Sequence, residues 1–313
     1  MPAFFNGVFG HKPSGGLVPG TGQYPIAQGE ALTFLSTGPL CRKAKDLALL
    51  TQIVLGPDGK DSGCEEFPHL RNLVKLKNQV DVKKLTVYYL DGIDNWMVSE
   101  TSKEMKEALR KVTNFFQTNA SEVIDLKPTK KLSGLKKAVD IWSSMLHEGN
   151  PVSFKSLMAN GDKNWYAILE LIKWGITGHS PYTIPALALC LVEKLPDLTP
   201  SITKKLVNLG RKLRNEFEEL LGDNAILLFP SHPYTAPSHG KPLLKPTNWI
   251  FTGIWNMMLA PGTQVPLGLD KKGLPLGVQV IAKRGNDHLT IAVAEKLEEA
   301  FGGWVPPSLA PVH

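Results

Sequence analysis

Two short segments of this sequence combine side chains that could carry out nucleophilic chemistry. Lys12 and Ser14 lie two residues apart and have the composition of a serine–lysine pair, in which a neutral amine activates the hydroxyl. Ser231 and His232 follow an unbroken apolar run, at the probable carboxyl end of a strand, where α/β proteins tend to place their sites. Because these two residues are adjacent, their side chains point to different sides, and no G-x-S-x-G elbow surrounds Ser231. The sequence therefore predicts a structural turn at residues 231–232.

The remaining reactive side chains indicate no cofactor and no metal. The eight histidines lack a ligand spacing such as H-E-x-x-H, and the acidic residues suggest no paired acid and base. Cys41, Cys64 and Cys190 contain no C-x-x-C spacing, and Cys190, within an apolar stretch, is predicted to be a small core residue. The glycine-rich start does not match the spacing of a phosphate-binding loop.

The charge of the chain is mildly basic, with 35 basic and 29 acidic residues and a net charge of +6. Its densest basic cluster has no interleaved aromatic residues, so we expect a solvated helix face and no nucleic-acid partner. The cluster consists of Lys127, Lys130, Lys131, Lys136 and Lys137. No signal peptide is visible, and no apolar stretch approaches the roughly 20 residues of a membrane span. The sequence leaves the localisation open.

The elements that would position these residues alternate between strand and helix from residue 85. Residues 85–90 and 122–126 are short β-rich runs. A helix is predicted between these two runs, and the spacing of Thr101 and Glu104 predicts a capping box at its start. A further helix is expected over residues 132–146. This alternation predicts a parallel or mixed sheet covered by helices.

The middle of the chain is predicted to be helical and unusually apolar. Residues 165–176 are apolar on more than one helix face, which favours buried packing. Thr199 and Pro200 are typical of a helix start, and Gly222 of the end of that helix. Its expected buried stripe is Ile202, Leu206, Leu209, Leu213, Phe217 and Leu220.

The last part of the chain returns to the sheet. Residues 225–229 form an apolar run typical of a sheet centre, and residues 276–282 are predicted to be a strand. Asp287 is expected to cap a final helix that ends at Gly302 and Gly303.

Several of these segments resemble the motifs of the amidase signature family, in the family's order and across nearly the whole chain. Residues 1–16 are similar to the downstream half of its Gly/Ser-rich signature, and residues 36–50 to its Gly-Pro-x-x-Arg turn and following helix. The other matching segments are residues 229–233, 256–261, 265–268, 273–279 and 286–287. Within the family, residues 251–253, 266–268 and 301–305 look most like the type-2 fatty-acid amide hydrolase branch.

The resemblance implies serine hydrolase chemistry whose central residues lie upstream of this sequence. In the family, the nucleophilic serine comes just before the Pro-Ala step that Pro2 and Ala3 match, and a bridging serine and a catalytic lysine come earlier still. We therefore expect no catalytic residue within the chain, a structural role for Lys12 and Ser14, and no hydrolysis of long-chain fatty-acid amides by this polypeptide alone. The alternative is a non-catalytic acyl-binding or homologue-pairing pseudoenzyme.

Substrate binding is the part of the family's function that the resemblance places within the chain. The segment matching residues 251–256 contributes to the acyl channel in fatty-acid amide hydrolases, so Thr252, Trp255 and Met258 are the expected contacts of the alkyl chain. Plain core packing at these positions is the alternative. For residues 165–176, the alternative to buried packing is an apolar lining that contacts a long acyl chain. The implied partners of the full-length form are a fatty-acid amide or lipid and a homodimer, and the membrane anchor of such relatives is expected to be absent here.

Together these observations predict an α/β fold: an α/β/α sandwich with a mixed central sheet that lacks its N-terminal strands and helices. Residues 1–313 would be the C-terminal portion of one domain. Its expected segments are residues 1–50 (rest of the signature and following helix), 85–147 (strand–helix–strand–helix), 151–222 (helical, with the acyl-channel candidate) and 225–304 (C-terminal sheet and helix). Missing strands would leave sheet edges open to pairing with another chain.

Overall fold

The fold was analysed in a computed structural model that describes residues 1–24, 26–127, 129–150, 152–162, 164–193 and 195–306. Pro151, the first residue of the predicted helical segment, and residues 307–313 lie outside this part of the chain.

A seven-stranded mixed sheet forms the centre of the described chain, in the order β2–β1–β6–β7–β5–β3–β4. Strand β3 pairs in parallel with β4 and β5, whereas every other pairing is antiparallel. The strands are β1 (Phe9–Lys12), β2 (Leu40–Cys41), β3 (Thr86–Tyr89), β4 (Glu122–Asp125), β5 (Ala225–Phe229), β6 (Gly262–Leu269) and β7 (Pro275–Ile281). The predicted strands at 85–90, 122–126, 225–229 and 276–282 are confirmed.

Helices accompany the sheet along the whole chain, together with 3₁₀ turns at Pro68–Leu70, Val82–Lys84, Ser133–Lys137 and Lys241–Leu244. The helices are α1 (Pro2–Phe5), α2 (Ala31–Phe34), α3 (Lys45–Val54), α4 (Leu73–Lys77), α5 (Lys103–Asn119), α6 (Ala138–Gly149), α7 (Phe154–Ala159), α8 (Ala167–Thr177), α9 (Ile184–Val192), α10 (Leu195–Leu198), α11 (Pro200–Leu221), α12 (Ile250–Met257) and α13 (Asp287–Phe301). None of the helices in the described ranges is long and apolar enough to cross a bilayer.

The core has two layers because both faces of the sheet are buried. Along β5, Leu227 and Phe229 join a cluster with side chains of α6, α11 and α12, whereas Ile226 and Leu228 join a cluster with α3, α4, α5 and α13. This alternation follows the two-residue period of a strand. The predicted α/β/α sandwich with a mixed central sheet is confirmed.

Two of the predicted helix starts are wrong in detail. The N-cap of α5 is Ser102, whose hydroxyl accepts from the Met105 amide at 3.4 Å, and the hydroxyl of Thr101 has no partner among the described residues. Asp287 is the first residue of α13, and its carboxylate binds the side chains of residues 11 and 14 instead of capping its own helix. At α5 the neighbouring Ser102 takes the capping role, and at α13 the carboxylate of Asp287 is occupied by residues distant in the sequence.

The predicted burial of two helices also needs correction. On α11 the predicted Leu213 and Phe217 are buried and Leu206, Leu209 and Leu220 are partly buried, whereas Ile202 is exposed. The other buried positions are Thr203, Val207, Gly210 and Leu221, so the first half of the stripe is shifted by about one residue. On α8, Ile168, Leu169, Ile172, Trp174 and Ile176 are exposed, which contradicts the expected buried packing of residues 165–176. Only Trp165 and Ala167 of that segment are buried, in a small cluster with Leu187 and Cys190 of α9. Cys190 is a core residue, as expected.

Candidate functional site

Helix α12 carries two of the residues predicted to contact an acyl chain, Met258 directly follows its end, and this segment lies deep in the core. Trp255 is 2% exposed and its Nε1 donates to the Phe251 carbonyl at 2.9 Å. Its ring centroid lies 5.6 Å from that of Phe217 and 5.4 Å from that of Phe229. Aromatic pairs at such separations stabilise a core beyond their buried area. The indole of Trp255 therefore anchors α12 to β5 and α11.

The other two predicted contacts differ in how accessible they are. Met258 is completely buried, whereas Thr252 is half-buried and its hydroxyl donates to the Trp249 carbonyl at 3.1 Å. Two grooves on the described surface, of about 160 and 550 Å³, are lined by other residues, around Pro266 and Trp304 and around Gly20 and Asp61. Thr252 and Trp255 thus lie on α12 and Met258 directly after it, and Thr252 is the most accessible of the three.

The turn after β5 is held by two glutamines from the antiparallel half of the sheet. Nε2 of Gln279 donates to the carbonyls of Pro230 and Phe251, at 2.8 and 2.7 Å. The hydroxyl of Ser231 donates to Oε1 of Gln264. All of these side chains are buried, so each bond satisfies a group that would otherwise be costly in the core. The glutamines fix the start of the turn against α12.

Ser231 and His232 do not meet as a nucleophile and a base. The Nδ1 atom of His232 lies 2.8 Å from the Tyr234 carbonyl, and the Phe5 ring packs edge-on against the imidazole at 5.1 Å between centroids. Burial lowers the pKa of His232 below its ordinary value. With the Ser231 hydroxyl bound to Gln264, the geometry is that of a structural turn.

A buried polar network contains a serine, a histidine and an aspartate, but their order differs from a catalytic triad. The carboxylate of Asp287 lies 3.1 Å from Nε2 of His11 and accepts from both the amide and the hydroxyl of Ser14, at 2.8 and 2.5 Å. On the other side of His11, Nδ1 lies 2.9 Å from the Thr263 hydroxyl. A triad requires the serine to contact the imidazole, whereas here Ser14 contacts the aspartate. The network joins β1, β6 and α13.

The charge on Asp287 is stabilised by its partners. Burial by itself raises the pKa of this carboxyl, but the hydrogen bond and charge of His11 and the two Ser14 donors outweigh it and lower the pKa. Desolvation and donation act in opposite directions on a carboxylate, and here donation prevails.

Lys12 is not directed at Ser14. Its ammonium donates to the Pro13 carbonyl at 2.7 Å, and the Ser14 hydroxyl is occupied by Asp287 and by the Gly285 amide, which donates to it at 2.8 Å. Burial lowers the pKa of Lys12 to about 8, against the opposing charge of Asp287. The pair therefore lacks the contact that a serine–lysine mechanism requires.

Sequence reasoning missed both the Asp287 network and the exposure of α8. The sequence does mark Asp287, because an aspartate at a helix start is typical of a capping residue. It does not reveal the partners of Asp287, since these lie over 270 residues away. Within the described ranges, no group of three or more histidine, cysteine, aspartate or glutamate side chains is placed to hold a metal ion.

The comparisons with known proteins agree with this architecture. The family model described as Amidase matches residues 1–291, and the chain belongs to the amidase signature family. The chain is 40% identical over 314 residues to fatty-acid amide hydrolase 2 of Homo sapiens, covering 98% of this chain and 56% of the relative. It is 37% identical to fatty-acid amide hydrolase 2-A of Danio rerio, with the same coverage.

A solved structure shows the same fold at low sequence identity. A bacterial aryl acylamidase of the amidase signature family superposes with a TM-score of 0.67 at 21% identity, over 96% of this chain and 59% of that one. The chain thus spans little more than half the length of the curated relatives it matches.

Proposed function

We propose that this chain is the C-terminal part of an amidase signature hydrolase that acts on long-chain fatty-acid amides. The observation that carries the proposal is the 40% identity to fatty-acid amide hydrolase 2, which extends over 98% of the chain. In such a reaction a serine attacks the amide carbonyl, an acyl-enzyme forms, the amine leaves, and water releases the fatty acid.

The residues of this chain would serve the reaction by shaping the acyl-binding wall. Trp255 holds α12 against Phe229 of β5, and Gln279 ties the Phe251 carbonyl to the turn at Pro230. This leaves Thr252 as the residue, among the three expected contacts, that is accessible to a ligand. An apolar wall on a rigid support suits an alkyl chain, whose binding depends mainly on burial.

We further propose that the 313-residue polypeptide by itself does not hydrolyse amides. The hydroxyls of Ser14 and Ser231 are each engaged by a buried side chain, and neither contacts a lysine or histidine. Removal of even one oxyanion donor typically slows acyl transfer a hundredfold or more. A polypeptide without an activated nucleophile should lose the reaction altogether.

The first experiment tests catalysis directly. The purified chain is treated with a fluorophosphonate probe, and ammonia release from oleamide is measured beside a full-length fatty-acid amide hydrolase. No labelling and no ammonia above background are expected. Turnover by the chain, abolished by Ser14→Ala or Ser231→Ala, would contradict the proposed inactivity and identify the residue responsible.

The second experiment tests acyl binding independently of catalysis. Thr252→Phe would fill the space at the α12 surface and should weaken binding of a fluorescent fatty amide at least tenfold, because the alkyl chain loses buried contacts. Thr118→Phe, at an exposed position near the end of α5, is the matched control. Equal binding by both variants and the parent chain would show that α12 is core packing only.

A second candidate function is a non-catalytic chain that pairs with a homologue. It is favoured by the apolar surface of α8 and α9, where Ile176 is 80% exposed. Light scattering of the chain alone and mixed with a full-length relative tests it. A monomer in both cases would exclude pairing.

A further inference from the structure

The turn between α5 and β4 carries a short motif that the proposed hydrolase function does not use. Asn119, Ala120 and Ser121 match the pattern Asn-x-Ser, in which x is any residue except proline. Asn119 is the only asparagine in the sequence with a serine or threonine two residues later. This pattern is the acceptor for N-linked glycosylation, so the turn is a candidate modification site.

The turn lies at the surface of the molecule. Asn119 is the last residue of α5 and is partly exposed, and Ser121 is exposed directly before β4. Ala120, between them, has φ −131° and ψ 171°, so the backbone is extended there. A glycan is bulky and needs solvent beside its asparagine. The end of a surface helix followed by an extended residue provides this space.

The fold uses the polar groups of this acceptor unequally. Nδ2 of Asn119 donates to the Phe115 carbonyl at 2.8 Å and to the Thr118 hydroxyl at 3.0 Å. Glycosylation removes one of the two N–H protons of an asparagine, so one donor remains for the helix end. The Ser121 amide donates to the Leu85 carbonyl at 2.9 Å, whereas the Ser121 hydroxyl forms no hydrogen bond with any described residue. The fold therefore requires the backbone of Ser121 and leaves its hydroxyl unused.

The strand that follows the turn lies at one end of the sheet. Among the described strands, β4 pairs only with β3. Its outer edge therefore presents backbone N–H and C=O groups that a strand of another chain can bind. Proteins protect such edges with charged residues or by covering them. Glu122, the first residue of β4, is three residues from Asn119, so a glycan would stand within roughly 11 Å of this edge.

The helix surface next to Asn119 is apolar. Phe115 precedes Asn119 by one helical turn, and residues four apart share a face of a helix. The Phe115 ring packs edge-on against Phe116 and Phe301, with centroids 5.1 and 5.6 Å away, and part of it remains exposed. The first sugar of a glycan at Asn119 would cover this exposed part and thereby stabilise α5.

We propose that Asn119 carries an N-linked glycan that shields the open edge of β4. In the transfer, Nδ2 of Asn119 forms a bond to the anomeric carbon of an oligosaccharide carried on a polyprenyl diphosphate. The bond between that carbon and the diphosphate breaks, the diphosphate leaves with the electron pair, and Nδ2 releases one proton. The lipid-linked donor is used in the lumen of the endoplasmic reticulum, so this turn must enter that compartment.

The first test uses the protein isolated from its own cells. Peptide-N-glycosidase F removes an N-linked glycan and converts the linked asparagine to aspartate, so digestion in heavy-oxygen water labels the site. Mass spectrometry should find the heavy aspartate at residue 119, and the intact protein should migrate faster after digestion. An unmodified Asn119 in this protein would overturn the proposal.

The second test directs the 313-residue chain into the secretory pathway of insect cells behind a cleavable signal. Asn119→Gln and Ser121→Ala should each abolish the glycan, because the transferase needs both the amide and the hydroxyl, whereas Ser121→Thr should keep it. Asn78→Gln is the matched control and should also keep it. Asn78 is exposed directly after α4, but it has Val80 two residues later. A secreted parent chain without a glycan would show that the turn is not an acceptor.

The shielding role is tested on the glycosylated chain before and after digestion. Removal of the glycan should lower the melting temperature and speed aggregation on heating, because Phe115 and the β4 edge become accessible. Digestion leaves a charged aspartate, so Asn119→Gln is the neutral reference without a glycan. Equal melting and aggregation of the glycosylated chain and Asn119→Gln would contradict shielding. None of these outcomes depends on whether the chain hydrolyses amides.

Discussion

At the scale of single residues, the Asp287 network shows how one carboxylate can connect three elements. Its oxygens accept hydrogen bonds from His11 and Ser14, so the start of α13 is fixed to β1. In a site without solvent, such bonds are strong, and the loss of one partner leaves the others unsatisfied.

Asp287→Asn should therefore destabilise the protein at neutral pH by about 3–5 kcal/mol, the usual effect of breaking a buried charged pair. Urea unfolding measures this change. Asp223→Asn, whose side chain is 86% exposed, is the control and should change the free energy of unfolding by less than about 1 kcal/mol. A small effect of Asp287→Asn would show that the network contributes little.

The same carboxylate predicts a pH dependence. Its folded pKa lies below the ordinary value of 3.8, so its contribution to stability is present above pH 3.8 and is lost as the pH falls through the folded pKa. The melting temperature of the parent chain should fall in this acid range more steeply than that of Asp287→Asn. Parallel acid profiles for the two proteins would contradict this expectation.

Lys12 predicts a second rise of stability with pH, in the alkaline range. Its pKa is lowered from 10.5 to about 8, so between these values the folded chain has released a proton that the unfolded chain still binds. This contribution makes the protein more stable as the pH rises from 8 to 10.5. Lys12→Met should flatten that rise in melting temperature, whereas Lys272→Met, at an exposed position, should leave it unchanged.

At the scale of elements, the strands were easier to predict than the burial of the helices. The apolar run of β5 is consistent with a centre strand in any arrangement of its neighbours. The first half of the α11 stripe was misplaced because α6 packs closely at Gly210, a residue that hydrophobicity does not mark, whereas Leu213 and Phe217 are buried as predicted. The exposure of α8 was missed because periodicity shows which residues are apolar and not whether another element covers them.

Gly210 gives this point a direct test. A Cβ atom there would lie 2.7 Å from Cγ2 of Ile141 and would also clash with the Met145 sulfur, so Gly210→Ala should destabilise the protein by about 1–3 kcal/mol. In α8, Gly175 has open space around its Cβ direction, and Gly175→Ala should cause no loss of stability because alanine favours a helix. Denaturant unfolding measures the free energy of unfolding of both variants. An equal change in the two would mean that α6 and α11 can move apart at Gly210 without loss of stability.

At the candidate site, too, the sequence motif and the structure reveal different properties of the same residues. The family motif singled out Thr252, Trp255 and Met258, of which the first two lie on α12 and the third directly follows it. It could not show that Trp255 and Met258 are enclosed by Phe217, Phe229 and their neighbours, because that depends on contacts between distant parts of the chain.

At the scale of the whole molecule, stability should be unevenly distributed. Helices α7–α9 have their own small core around Trp165 and Leu187, apart from the two layers that cover the sheet. An ion pair between His147 and Asp197, 2.9 Å apart and partly exposed, joins α6 to α10 at the edge of this unit. Exposed ion pairs contribute little, at most about 1 kcal/mol.

We therefore expect the amides of α8 and α9 to exchange with deuterium well before those of β5 and the second half of α11. Segments with few buried apolar contacts open with a lower free energy than the core. Hydrogen exchange followed by mass spectrometry measures this difference peptide by peptide. Equal protection across these segments would indicate that α7–α9 unfold only together with the rest of the chain.

The long reach of the bonds to Asp287 has a consequence for how this chain is made on the ribosome. His11 and Ser14 are translated more than 270 residues before their partner. Until then a histidine and a serine destined for the interior have only water to bind, and β1 lacks β6 beside it. The core around His11 and Ser14 therefore cannot be completed until α13 has emerged, which leaves this region within reach of chaperones in the meantime.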